Sequence, residues 1–137
     1  MNQQKFLFMY CSTPGLDDDF IAQPLGILYL GAILEKAGIP VKCMDERIYS
    51  REAICEAVEE ADVVGVSAMT PFLQRALEWG RYAKDKGKYT MMGGPHATVD
   101  PDTLLDAGCF DLVFVGEAEL TILEAIPHLD DKEKLKE

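Results

Sequence analysis

Basic residues are scarce in this sequence. Thirteen Lys and Arg stand against 24 Asp and Glu, a formal net charge of −11. A chain this acidic repels phosphate backbones and anionic lipid, so neither nucleic acid nor a membrane surface is expected as its main partner. No apolar run reaches the length of a bilayer span. No secretory leader is expected either: Lys5 precedes only a short apolar run, and no small-residue cleavage site follows. The four cysteines are scattered, with no C-x-x-C pair and no trio spaced for an iron–sulfur cluster. Cys11, Cys43 and Cys55 fall in apolar segments, as reduced core thiols of a cytoplasmic protein would. Histidine is rarer still, with only His96 and His128. No second metal ligand accompanies His96 in the pattern, so no metal centre is expected.

What is present suits one domain. The chain has 137 residues, and 48% of them are apolar, enough for a single buried core. Residues 5–11 (KFLFMYC) form a continuous apolar run, the pattern of a strand buried on both faces. Ser12-Thr13-Pro14-Gly15 then gives strong turn chemistry, and Asp17-Asp18-Asp19 reads as a solvated loop. A helix is expected over 24–37, with Pro24 in its first turn and Gly38 as its stop. It is apolar nearly all round, which predicts cover on its outer side too. A short strand over 41–44 follows, then a helix capped by Ser50 and running to Glu60. Strand 63–67 leads through Ala68-Met69-Thr70 into a helix opened by Pro71 and ending near Lys86. Strand 90–92 leads into Gly93-Gly94-Pro95-His96, read as a tight turn. A short helix over 101–107, a strand over 111–115 and a last helix over 119–129 complete the series. Residues 130–137 are a charge run without a core pattern.

Five strand–helix alternations predict an α/β fold: a Rossmann-like or flavodoxin-like three-layer sandwich around a five-stranded parallel sheet. Ligands of such sheets bind outside the carboxyl ends of the strands. Those ends here carry Ser12–Gly15, Asp45-Glu46, Ser67–Thr70, Gly93–His96 and Gly116-Glu117. The edge lacks G-x-G-x-x-G after the first strand and lacks a P-loop. It also lacks a receiver domain's aspartate and lysine, since Ser67 and Gly116 stand at those places. His96 fits a hydrogen-bonding role better than catalysis or metal ligation, and His128 is expected near the surface. Residues alone leave open a flavin or other phosphate ligand held by Ser12–Gly15, or an interaction domain with an empty edge.

Five stretches together resemble the cobalamin-binding domain at the N-terminus of cobalamin-dependent radical SAM enzymes. They are Pro24-Leu25-Gly26-Ile27-Leu28-Tyr29-Leu30, Leu34-Glu35-Lys36-Ala37-Gly38, Val64-Gly65-Val66-Ser67-Ala68-Met69-Thr70, Gly93-Gly94-Pro95-His96-Ala97-Thr98 and Val115-Gly116-Glu117-Ala118-Glu119. The resemblance covers nearly the whole chain in order. It implies that cobalamin's nucleotide tail enters a slot lined by Ser67, Met69 and Thr70. Gly93, Gly94, Pro95 and His96 would flank that tail, Gly116 and Glu117 would close on it, and Thr13, Pro14, Gly15 and Leu16 would lie under the corrin ring. Many relatives of that kind carry D-x-H-x-x-G after the first strand, with a histidine on cobalt. This loop has no histidine, which implies a displaced tail and no histidine lower ligand. The cluster motif C-x-x-x-C-x-x-C is also missing. The resemblance therefore implies a stand-alone carrier or, the favoured reading, a longer parent whose C-terminal radical SAM domain holds a 4Fe-4S cluster and S-adenosylmethionine, for methyl transfer or cyclisation. On that reading residues 1–129 are the cobalamin module, not catalytic alone, and residues 130–137 begin a linker.

Overall fold

The computed structural model describes residues 3–12 and 23–136. Five parallel strands stand in the order β2-β1-β3-β4-β5. They are β1 (Phe6–Tyr10), β2 (Val41–Asp45), β3 (Val63–Ser67), β4 (Tyr89–Gly93) and β5 (Leu112–Val113). The sheet is therefore of the flavodoxin-like kind expected, with its direction of winding reversing between β1 and β3.

Alternate residues of each strand enter opposite layers. Leu7, Met9, Val64, Val66 and Met92 pack under α2 (Arg51–Glu60), α3 (Leu73–Asp85) and α5 (Pro101–Asp106), where Ile54, Val58, Trp79 and Leu104 are buried. Phe6, Phe8, Val63, Met91 and Phe114 face the other layer, with Ile27 and Leu34 of α1 (Leu25–Lys36) and Ile122 of α6 (Thr121–Ala125). Three-layer packing thus follows from strands that are apolar on both faces.

Several boundaries differ from the sequence reading, each for a physical reason. Gly93–Thr98 is not only a turn: α4 (Pro95–Val99) begins there, because Pro95 is preset for the first helical position and needs no N–H partner. The helix after β3 opens as a 3₁₀ turn, Thr70–Phe72, before α3. The last helix is broken at Pro127, which cannot donate to the ladder, and continues as a 3₁₀ turn over Ile126–His128. β5 is two residues long, although the Phe114 N–H still donates to the Met92 carbonyl at 2.8 Å. Beyond Val115 the chain turns away at Gly116, whose φ is 77°. The cover expected over the outer side of α1 is not supplied by the described residues: Leu25 is 55% and Tyr29 60% exposed. Within the charged C-terminal stretch, Leu135 packs against the α1/α6 core.

The β4–β5 edge is tied by one carboxylate. Asp111 accepts the Thr90 N–H at 2.9 Å and the Thr90 hydroxyl at 3.1 Å, and it pairs with Lys84. Burial raises its pKa, but the Lys84 contact and the Thr90 bonds outweigh burial and hold it below the usual carboxylate value. A group with a lowered folded pKa stabilises fully above its unfolded pKa and loses that contribution as pH falls through the folded one. Replacing Asp111 by Ala is expected to cost about 1.5–3 kcal/mol at pH 7. The deficit relative to wild type should shrink in urea melts as pH is lowered through the acid range.

Candidate functional site

Two helices share the α1/α6 layer. α1 lies over β1 and β2, and α6 returns from the β5 edge. Between them a cavity of about 910 Å³ opens over the central strand β3. Its floor is Phe8, Gly65, Met91 and Phe114. Ile27 and Leu30 of α1 form one wall, and Ile122 of α6 the other. The cavity opens at the carboxyl edge of the sheet, beside Ser67, Met69, Gly93 and Gly94. An apolar recess with a small, polar mouth suits a ligand with a flat, poorly hydrated end and a polar remainder.

Most of the residues singled out in the sequence converge on this mouth. Ser67, Met69, Gly93, Gly94, Pro95, Gly116 and Glu117 line it. Thr70 and His96 do not. The His96 ring is 6% exposed, and its Nδ1 lies 3.1 Å from Thr70 Oγ1. The pair ties α4 to the 3₁₀ turn after β3, away from the cavity lining. His96 Nε2 is buried without a hydrogen-bond partner among the described residues. Thr13, Pro14, Gly15 and Leu16 lie outside the described residues, as do Asp17, Asp18 and Asp19.

Gly94 has a reason of its own. Its φ of 94° with ψ of −173° belongs to glycine, and a Cβ there would sit 2.6 Å from Ser67 Oγ. The chain needs that conformation to pass from β4 into α4. Thr98, which the sequence reading left without a role, joins two loops of the mouth. Its hydroxyl donates to the Gly94 carbonyl at 3.2 Å and accepts the Gly116 N–H at 3.0 Å.

A second feature escaped sequence reasoning: a charged network beside the mouth. Glu46 is buried at the end of β2 and accepts the Ser12 N–H at 3.1 Å and the Trp79 indole N–H at 3.0 Å. Arg75 pairs with it from α3. Asp45, also buried, holds Arg47 through two guanidinium nitrogens, and Arg47 lies 5.0 Å over the Tyr10 ring. The Asp45 hydrogen bond raises the Arg47 pKa further, so its charge is permanent. Tyr10, Ser12 and Arg47 reach the cavity lining. Cys11 sits beneath this network, where burial and then the Glu46 charge push its thiol pKa far up, so it is an inert core thiol.

With the geometry in place, comparison with known proteins decides the family. Residues 16–126 match the family model described as the B12 binding domain. The chain belongs to that family. An uncharacterized methyltransferase of Pyrococcus horikoshii is 32% identical over 120 residues, covering 82% of this chain and 26% of the relative. Cytidylyl-2-hydroxyethylphosphonate methyltransferase of Streptomyces wedmorensis is 32% identical over 133 residues, covering 78% of this chain and 24% of the relative. The chain thus spans about a quarter of the length of these curated relatives. Among solved structures, the N-terminal domain of a hypothetical protein from Thermotoga maritima superimposes with a TM-score of 0.56 at 27% identity, over 82% of this chain and 93% of that one. No helix among the described residues is long and apolar enough to cross a membrane. A flavin, the rival left open by Ser12–Gly15, gains nothing from these matches.

Gly94 stands at the mouth of the cavity, and its conformation is set by the passage from β4 into α4. Gly94→Ala is therefore expected to destabilise the ligand-free domain by about 1–3 kcal/mol. Urea unfolding without ligand checks this; an unchanged midpoint would show that the turn relaxes freely.

Proposed function

We propose that this domain holds cobalamin with its nucleotide tail withdrawn from cobalt and laid in the β3 cavity. One observation carries the proposal: the apolar recess over β3, with small residues at its mouth. Phe8, Met91 and Phe114 offer flat apolar contact to a heterocycle, and burial of each apolar group there is favourable. Ser67, Thr98 and the backbone near Gly116 offer hydrogen bonds to the polar linker of the tail. Tyr10, Ser12 and Arg47 stand on the side where the corrin amides would lie.

The placement of the two histidines fits cobalamin held without a histidine lower ligand. His96 and His128 are the only histidines in the sequence, and neither is in the cavity lining. His96 is buried behind α4, and His128 belongs to the last 3₁₀ turn.

When bound, cobalamin supplies a cobalt centre able to carry a methyl group. The protein's part is to seat the tail, exclude water from it and leave the outer corrin face open. Both curated relatives are named methyltransferases and are about four times longer than the matched segment. We infer that the parent enzyme is a methyltransferase, or a cyclase of similar build. Its radical SAM domain, with a 4Fe-4S cluster and S-adenosylmethionine, would follow residues 1–129 through the charged stretch 130–137.

Titration with hydroxocobalamin and with cobinamide, which lacks the nucleotide tail, tests the reading. Cobalamin should bind with a spectral change to the form without nitrogen below cobalt. Cobinamide should bind at least tenfold more weakly, having lost the tail contacts. Equal affinities, or a nitrogen-ligated spectrum, would contradict the proposal.

A further inference from the structure

The glycines separate into those the fold needs and those it does not. Ten are described, and five of them have positive φ. At three more, Gly31, Gly65 and Gly80, a Cβ would lie 2.5–2.7 Å from Cys43 Sγ, the Phe8 ring and the Phe110 ring. Two remain. Among the described residues, a Cβ on Gly26 would meet nothing within 4 Å, and one on Gly93 would meet only Phe114 Cβ, at an ordinary 3.8 Å. Both line the cavity.

Gly26 is the more telling of the two. It lies in the first turn of α1, where alanine is the better helix former. Among the described residues nothing packs where the missing side chain would be. Because α1 follows β1, its first turn stands at the carboxyl edge of the sheet, beside the mouth. Leu30, four residues on and on the same helix face, lines the cavity deeper in. A side chain at position 26 would therefore point into the mouth, above Leu30.

We propose that Gly26 is a binding determinant of the cofactor site: it keeps open the α1 side of the mouth so that a bulky ligand can lie against the helix backbone. Gly93 keeps the opposite, sheet side open. This rests on the reading that the cavity takes the cobalamin tail. It adds that α1 itself contacts the ligand at its first turn, closely enough that a single side chain there competes with it.

Gly26→Ala and Gly26→Leu test the proposal, both replacements being good helix formers. Ligand-free thermal melts should give a Tm equal to or above wild type for each, whereas Gly31→Ala should lower Tm by pressing on Cys43. Hydroxocobalamin titration should show weaker binding, by about threefold for Gly26→Ala and about tenfold or more for Gly26→Leu. Wild-type affinity in Gly26→Leu would overturn the proposal and leave the cobalamin reading standing. A lowered ligand-free Tm in Gly26→Ala would overturn it as well, by showing that the fold itself needs the glycine. No cobalamin binding by the wild-type protein would defeat the cofactor reading and this proposal together.

Discussion

A five-stranded parallel sheet wound in two directions carries helices on both faces. α2, α3 and α5 fill one face, while only α1 and α6 pack on the other. The cavity lies over β3, between those two helices and beside the reversal. Everything proposed for this domain depends on that cavity. Its floor, Phe8, Met91 and Phe114, is buried even in the empty domain, at 3%, 2% and 8% exposure. A ligand that enters therefore meets an apolar floor already in place.

The mouth of the cavity is held by polar contacts rather than by core packing. Glu46 fixes the start of the loop after β1 through Ser12, and is itself held by Arg75 and Trp79 from the opposite layer. Thr98 links the Gly94 and Gly116 loops through one hydroxyl. The His96–Thr70 contact joins α4 to the turn after β3. These bonds set loop positions to within a hydrogen bond's tolerance while leaving the cavity free of side chains. A site that must admit a large ligand and still present it in one orientation needs that division of labour.

The layers of the fold were legible because hydrophobic runs and stops recur at strand and helix lengths. Right-handed crossovers left a few strand orders, of which the flavodoxin-like one is found. The mouth was legible as a set of strand ends, so Ser67, Gly93 and Gly116 could be placed together without coordinates. The floor was not. A strand apolar on both faces gives no sign of which residues face which layer, so Phe8 and Met91 looked like any core positions. Gly65 was a hint, as a glycine inside an apolar strand marks a close approach. Here the approach is that of the Phe8 ring. His96 misled in the opposite direction: its place on the ligand edge is real, but one helical turn carries its ring inward to Thr70. Glu46 was placed at a strand end on the ligand edge, with no sign that it is buried. Its burial depends on Arg75 and Trp79, distant in sequence and invisible to local pattern.

A crystal structure of the protein with cobalamin tests the central claim most directly. The account predicts the nucleotide tail between α1 and α6, over β3 and against Phe8 and Met91, with cobalt outside the cavity and no protein or tail nitrogen beneath it. A tail folded back onto cobalt, with the β3 cavity empty beside a bound corrin, would contradict it.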